Sequence, residues 1–128
     1  MVEEDLSYAI RGIILSVHRD YGPGLFESVY ERVLAKRLVD EGFAVRSQVP
    51  IYIPEPGLSD VLAFKIDLLV EDRIIIELKS VAKILPVHRM QLNSYLRLTN
   101  LKLGLLINFN VAMILQEGVT RIVNERSE

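Results

Sequence analysis

The chain has 128 residues, of which 50% are hydrophobic and 25% are charged, and its formal net charge is −2. This balance is typical of a globular protein, so residues 1–128 are predicted to form a single domain with one core. Because the chain has no cysteine, disulfides, zinc–thiolate sites and thiol catalysis are excluded. The small negative net charge excludes a uniformly basic nucleic-acid-binding surface, so any basic surface must be local.

The sequence also bears on membranes and location. No apolar run approaches the roughly 18 residues that a membrane span needs. The first residues, Met1-Val2-Glu3-Glu4-Asp5, are acidic and do not resemble a signal peptide. We therefore expect a cytoplasmic protein with no membrane partner.

The first two predicted elements are amphipathic helices. Apolar residues recur at helical spacing from Leu6 to Val17, and a second helix is predicted from about Leu25 to Glu41 after a glycine-rich turn. Glu27 lies at the edge of the second apolar stripe, in the first turn of its helix. From spacing alone, attraction of a carboxylate to the helix dipole is the favoured explanation of that position, and a functional role is the alternative.

Ala44 to Ile53 is predicted to be a strand, and Phe64 to Lys79 is predicted to be a β-hairpin of two apolar, β-branched runs. The hairpin carries Asp67, Glu77 and Lys79 inside its strands. A charge in a buried strand is costly unless it is paired or bound to a metal. Three charges in one hairpin therefore indicate a site.

The register of this hairpin decides whether its charges meet. A two-residue turn would place Asp67 opposite Ile76 and point it away from Glu77, whereas a three-residue loop, Glu71 to Arg73, would place Asp67 opposite Glu77. The three-residue loop is favoured because an arginine suits a loop better than a row of isoleucines, although no glycine marks the loop.

A third helix is predicted from Pro86 to about Asn100, since proline suits the first position of a helix. His88, Gln91 and Tyr95 are spaced i, i+3 and i+7 and therefore share one face of that helix. We expect this face to lie over the hairpin, with Gln91 and Tyr95 closest to Lys79.

The apolar run Leu103 to Phe109 is predicted to be a strand that is buried on both faces. A helix between two strands implies a right-handed crossover, so this strand should pair in parallel with the second hairpin strand. Short elements are expected at Val111–Leu115 and at Val119–Val123, with a turn between them. The order of elements predicts an α/β fold in which helices flank a mixed sheet.

Two neighbouring carboxylates, Asp67 and Glu77, would attract a hard divalent cation such as Mg²⁺ or Mn²⁺, which accepts carboxylate, water and phosphate oxygens. Lys79 shares the face of Glu77 and could orient a water or stabilise charge on a phosphate. The alternative is an ion cluster without function, in which Lys79 neutralises both carboxylates.

These residues resemble known motifs. Asp67 followed by Glu77-x-Lys79 is similar to the core motif of the PD-(D/E)XK nuclease superfamily, with Ile66 in place of its proline. Gln91-x-x-x-Tyr95 resembles the Q-x-x-x-Y motif of RecB-like members. The segment from Gly24 to Tyr30 resembles G-x-x-E-x-x-Y, the signature of the GxxExxY protein family in that superfamily, and the resemblance spans about Ile10 to Val123.

The resemblance implies a restriction-endonuclease-like αβββαβ core and a nucleic acid substrate. The implied metal ligands for Mg²⁺ or Mn²⁺ are Asp67, Glu77, the backbone carbonyl of Leu78, and Glu27. The implied catalytic and supporting residues are Lys79, Glu77, Asp67, Glu27, Gln91 and Tyr95.

Three functions therefore compete at this point. The first is a magnesium-dependent nuclease that hydrolyses phosphodiester bonds of DNA or RNA. The second is a nucleic-acid-binding or regulatory module that has a nuclease fold and little or no turnover. The third is a structural homodimer whose carboxylates are merely paired. The presence of Asp67, Glu77 and Lys79 together favours the first.

Overall fold

A computed structural model describes residues 2–125 and shows α-helices on both faces of a five-stranded mixed sheet. The helices are α1 (Glu3–Tyr21), α2 (Glu27–Asp40) and α3 (Pro86–Thr99). The strands are β1 (Val45–Tyr52), β2 (Leu62–Val70), β3 (Ile74–Lys79), β4 (Leu103–Asn108) and β5 (Val119–Val123). The predicted fold class, an α/β mixed sheet flanked by helices with the element order of an αβββαβ core, is confirmed.

The strands lie in the order β1-β2-β3-β4-β5. Neighbouring strands are antiparallel except β3 and β4, which are parallel and are joined through α3. This arrangement confirms the predicted parallel pairing of the second hairpin strand with the strand that follows α3. All six residues of β4 are buried, as the apolar run predicted for a strand covered on both faces.

The core has two layers because side chains alternate along the central strand β3. Ile74 and Ile76 pack in the layer that contains α1 and α2. Ile75 packs in the opposite layer, against Leu92 and Leu96 of α3. Each fully buried aliphatic side chain contributes about 1.5–3 kcal/mol of transfer free energy. This alternation places the side chain of Glu77 on the α3 side of the sheet.

Tyr30, the tyrosine of the Gly24–Tyr30 segment, holds the turn between α1 and α2. It is 1% exposed, and its ring stacks on Phe109 with centroids 4.2 Å apart. Its hydroxyl donates to the Gly22 carbonyl (2.6 Å) and accepts from the Leu25 amide (3.1 Å). The start of α2 is thus fixed relative to the carboxyl end of β4.

The region after β4 differs from the prediction. Residues 111–113 form bends, and Ile114–Gly118 forms a π-helical turn, so the expected element at Val111–Leu115 was wrong in its bounds. The Glu117 carboxylate accepts from the Met113 amide at 2.8 Å, which closes this turn. Within residues 2–125, no helix is both long enough and apolar enough to cross a membrane.

Candidate active site

The β2–β3 hairpin has the register that brings its charges together. Val70 pairs with Ile74, which confirms the three-residue loop Glu71 to Arg73. Glu71 and Asp72 adopt left-handed backbone angles (φ 55° and 52°), a conformation that aspartate tolerates better than most residues. The loop therefore forms without the glycine that usually marks such turns.

Beyond Leu68 and Ile76 the two strands no longer pair through their backbones, and two carboxylates occupy the space between them. Asp67 Oδ2 accepts from the Leu78 amide at 2.9 Å. Glu77 Oε1 accepts from the Asp67 amide at 3.2 Å. Each carboxylate thus satisfies a backbone donor that the separated strands would otherwise leave unpaired. The separation of β2 from β3 frees the Asp67 and Leu78 amides, and the hydrogen bonds from these amides hold the two carboxylates in place.

Glu77 is only 7% exposed, and its environment opposes its charge. Burial, with the neighbouring charge of Asp67 and a hydrogen bond to it, raises the pKa of the Glu77 carboxyl to about 9, although Lys79 acts in the opposite direction. At neutral pH the isolated protein therefore holds this carboxyl in its protonated form. A cation placed between Asp67 and Glu77 would reverse that preference.

Lys79 ends β3, two residues after Glu77, and is half-buried. It pairs with Asn108 of β4, whose amide group fastens the following loop by accepting from the Val81 amide (3.1 Å) and donating to the Val81 carbonyl (3.0 Å). Asn108 was not predicted from the sequence. The sequence feature that marks Asn108 is an amide side chain at the end of an otherwise apolar strand.

Gln48 and Glu31 also lie at the site, and neither was predicted from the sequence. The Gln48 side-chain amide donates to Glu31 Oε1 (2.7 Å) and to Asp67 Oδ1 (3.3 Å). Gln48 adopts a left-handed backbone angle (φ 51°) where the pairing of β1 with β2 is interrupted. Burial chiefly raises the pKa of Glu31, the bond from Gln48 lowers it, and the charge of Asp67 raises it. A helical carboxylate is therefore coupled to Asp67 through one amide.

Glu27 lies elsewhere on α2. It is exposed and, with Ser80, lines an open depression of about 380 Å³. The Ser80 hydroxyl donates to the Leu25 carbonyl at 2.7 Å, which ties the start of α2 to the residue after Lys79. Among the described residues, Glu27 makes no hydrogen bond with either hairpin carboxylate. Its role as a metal ligand stays a prediction.

On α3, Tyr95 is the predicted residue that lies near the carboxylates. Its ring stacks on Phe64 with centroids 3.8 Å apart and an interplanar angle of 11°. Burial, followed by the charges of Glu77 and Asp67, raises the pKa of the Tyr95 hydroxyl. The hydroxyl therefore stays protonated and can donate a hydrogen bond.

The other two residues of that helical face behave differently. His88 Nδ1 accepts from the Leu85 amide at 3.0 Å, so this side chain stabilises the start of α3. Gln91 is exposed and forms no hydrogen bond with the described part of the chain. Its supporting role in the site stays a prediction.

A divalent cation at the hairpin would have few side-chain ligands. No group of three or more histidine, aspartate or glutamate side chains within residues 2–125 is arranged to hold a metal ion. Magnesium, however, commonly binds through one or two carboxylates and completes its shell with water and phosphate oxygens. Asp67 and Glu77 supply two carboxylates, and burial together with the charge of Asp67 raises the pKa of Glu77, so added positive charge between them would favour its anion. The pair fits a hard divalent cation.

Comparison with known proteins agrees with this geometry. Residues 4–122 match the model of the PD-(D/E)XK nuclease superfamily. The chain belongs to the PD-(D/E)XK nuclease superfamily. No curated protein and no solved structure matches the chain. Superfamily membership implies a nucleic acid substrate, and its nucleases typically use divalent metals. The match includes both strands of the hairpin that carries Asp67 and Glu77.

Proposed function

We propose that this PD-(D/E)XK superfamily member is a Mg²⁺- or Mn²⁺-dependent nuclease of the GxxExxY family that hydrolyses phosphodiester bonds of DNA or RNA. The observation that carries the proposal is the meeting of Asp67 and Glu77 in the opening between β2 and β3. Lys79 follows on the same strand, on the face of Glu77.

The cation would be held by Asp67 and Glu77, with the carbonyl of Leu78 as a third ligand and Glu27 contributing directly or through water. When bound, such a cation supplies positive charge that polarises the phosphate and lowers the pKa of water. Asp67 is suited to ligation because the Leu78 amide fixes one oxygen, and Gln48 orients the other.

The remaining roles follow from charge and position. Lys79 can neutralise charge that develops on the phosphate during cleavage and can orient the attacking water. Tyr95, held by Phe64, offers a protonated hydroxyl beside the carboxylates. Tyr30 is buried and fixes the start of α2, so its part in the G-x-x-E-x-x-Y signature is to position Glu27.

A second function is favoured by the net charge of −2. Binding to nucleic acid gains most of its affinity from phosphate neutralisation, so a slightly acidic domain binds phosphates weakly. The chain would then be a nucleic-acid-binding or regulatory module with little or no turnover. Cleavage measurements separate this alternative from the nuclease.

The test compares wild type with Asp67→Asn and Lys79→Met. Manganese binding is measured by calorimetry, and cleavage is measured on labelled single- and double-stranded DNA and RNA with magnesium, manganese or EDTA. Asp67→Asn should weaken manganese binding because a charged ligand is lost. Lys79→Met should bind manganese normally and lose cleavage, because the lysine acts on the phosphate and the water.

Matched controls are Asp40→Asn and Lys36→Met, which change an exposed ion pair on α2. Both controls should retain metal binding and cleavage. Manganese affinity that survives Asp67→Asn unchanged would refute the ligand assignment. Metal binding without cleavage of any substrate by wild type would favour the binding module, and undiminished cleavage by Lys79→Met would refute the role of the lysine.

A further inference from the structure

The face of α1 that points away from the core carries a regular stripe. The stripe consists of Asp5, Tyr8, Gly12, Leu15 and Arg19, which are spaced 3, 4, 3 and 4 residues apart and are all exposed. Such spacing puts the five residues along one line on the helix surface. Tyr8 is 83% exposed and Leu15 is 41% exposed, so the stripe presents two large apolar side chains to solvent.

Gly12 lies at the middle of the stripe, and nothing in the described part of the chain requires a glycine there. A Cβ built there would meet no atom within 4 Å, and its backbone is ordinary helix. Glycine is a poor helix former, and its usual justification is a positive φ or a close backbone approach. The open space around Gly12 therefore suits a second backbone that packs directly against α1.

We propose that α1 pairs with α1 of a second copy of this chain, antiparallel, about a two-fold axis that passes beside Gly12. Asp5 precedes Gly12 by seven residues and Arg19 follows it by seven, about 10.5 Å in each direction at 1.5 Å per residue. Antiparallel pairing sets Asp5 against Arg19 of the partner subunit, and sets Tyr8 beside the partner subunit's Leu15.

The charges of the stripe favour a second copy of this chain as the partner and an antiparallel arrangement of the two helices. A parallel pair would set aspartate beside aspartate and arginine beside arginine, whereas the antiparallel pair forms two attractive contacts by symmetry. Asp5 and Arg19 are also available to form ion pairs with a second copy. Within residues 2–125, the Asp5 side chain forms no hydrogen bond or ion pair, and the Arg19 side chain, which is 69% exposed, forms one ion pair, with its neighbour Asp20 at 3.8 Å.

One helical face buries little area, at or below the low end for specific protein–protein complexes. The dimer is therefore reversible and forms as the protein concentration rises. Because the stripe faces away from the core, the pairing leaves the carboxylates of both copies uncovered. The pairing does not depend on the proposed nuclease activity.

The first test exchanges the charges and follows association by sedimentation velocity over a range of concentrations. Asp5→Arg and Arg19→Asp should each weaken self-association by about ten-fold, because each replaces two attractive contacts by two repulsive ones. An equimolar mixture of the two variants should form a heterodimer at least as readily as wild type, because both contacts return. Arg32→Asp, an equal charge change on the exposed side of α2, should associate like wild type.

The second test is Gly12→Gln. Glutamine favours the helix more than glycine does, so the variant should melt at a higher temperature, while its side chain should block the close approach and leave the protein monomeric. A wild type that stays monomeric at its highest soluble concentration overturns the proposal. So does a Gly12→Gln variant that associates like wild type, or a charge-variant mixture that forms no heterodimer.

Discussion

At the scale of single residues, the carboxyl group of Glu77 determines how the site responds to pH. Its pKa is raised from the ordinary 4.5 to about 9 in the folded protein. The folded state therefore prefers the protonated form. The resulting stabilisation is complete below about pH 4.5 and is lost as pH rises through the folded pKa.

This shift gives the first prediction, which concerns Glu77→Gln. Without metal, the free energy of unfolding of wild type should fall between about pH 5 and pH 9, and the fall should be smaller in the variant, whose amide does not ionise. Urea denaturation in EDTA at several pH values measures the free energy of unfolding of both proteins. Glu55→Gln, a change in an exposed loop, should keep the wild-type slope. Equal slopes for wild type and Glu77→Gln would contradict the raised pKa.

Gln48 gives the second prediction. Its amide bridges Glu31 and Asp67, and its backbone is left-handed. Gln48→Leu should lower the free energy of unfolding by about 1 kcal/mol, because both acceptors lose a donor. Gln48→Gly should lose less, because glycine adopts a positive φ without strain. Urea denaturation at neutral pH should rank wild type first and Gln48→Leu last; the reverse order for the two variants would show that strain is unimportant there.

The bridge also shows why part of the site could not be predicted. Nothing in the sequence distinguishes Glu31 from the other charged residues of α2, and nothing in the sequence of β1 marks Gln48. Their contact arises only when α2 and the interrupted part of β1 meet in the folded chain. The meeting of Asp67 and Glu77 could be predicted because a charge within an apolar strand is costly and therefore conspicuous.

At the scale of elements, local chemistry decided the hairpin register. The preference of Arg73 for a loop was enough to predict the pairing of Val70 with Ile74. The separation of β2 from β3 beyond Leu68 could not be predicted in the same way. It depends on side-chain carboxylates replacing backbone acceptors, which the alternation of apolar residues does not reveal.

The turn between α1 and α2 gives the third prediction. Tyr30→Phe should keep the stacking on Phe109 but remove the hydroxyl that serves Gly22 and Leu25. The free energy of unfolding should fall by about 1–2 kcal/mol, because a partly buried donor and acceptor lose their partner. Urea denaturation measures this loss. Tyr52→Phe, at a residue that is 50% exposed, should change stability little; equal losses in both variants would show that the hydroxyl does not hold the turn.

At the scale of the whole molecule, the order of helices and strands predicted the architecture because each element had a clear period or a clear boundary. The parallel pair β3–β4 followed from the helix between them. The structure of the region after β4 could not be predicted from the order of elements. Its π-helical turn depends on a contact between the Glu117 carboxylate and the Met113 backbone. Such a turn has no periodicity of its own.

The last prediction links metal binding to the stability of the whole domain. A cation that binds only the folded protein adds about 2.7 kcal/mol to the free energy of unfolding at a hundred times its dissociation constant. Magnesium or manganese should therefore raise the melting temperature of wild type, and more strongly as pH rises, because the bound form of Glu77 is the anion that the metal-free site disfavours. Differential scanning calorimetry at several metal concentrations measures the shift.

Variants separate this linkage from a general salt effect. Asp67→Asn should reduce the metal-induced shift, whereas Lys79→Met should keep it, since the lysine does not bind the cation. Potassium chloride of equal ionic strength should produce little of the shift, because screening acts on exposed charges more than on a buried pair. A shift of the same size in Asp67→Asn would place the cation away from the hairpin, and the nuclease proposal would then lose its metal centre.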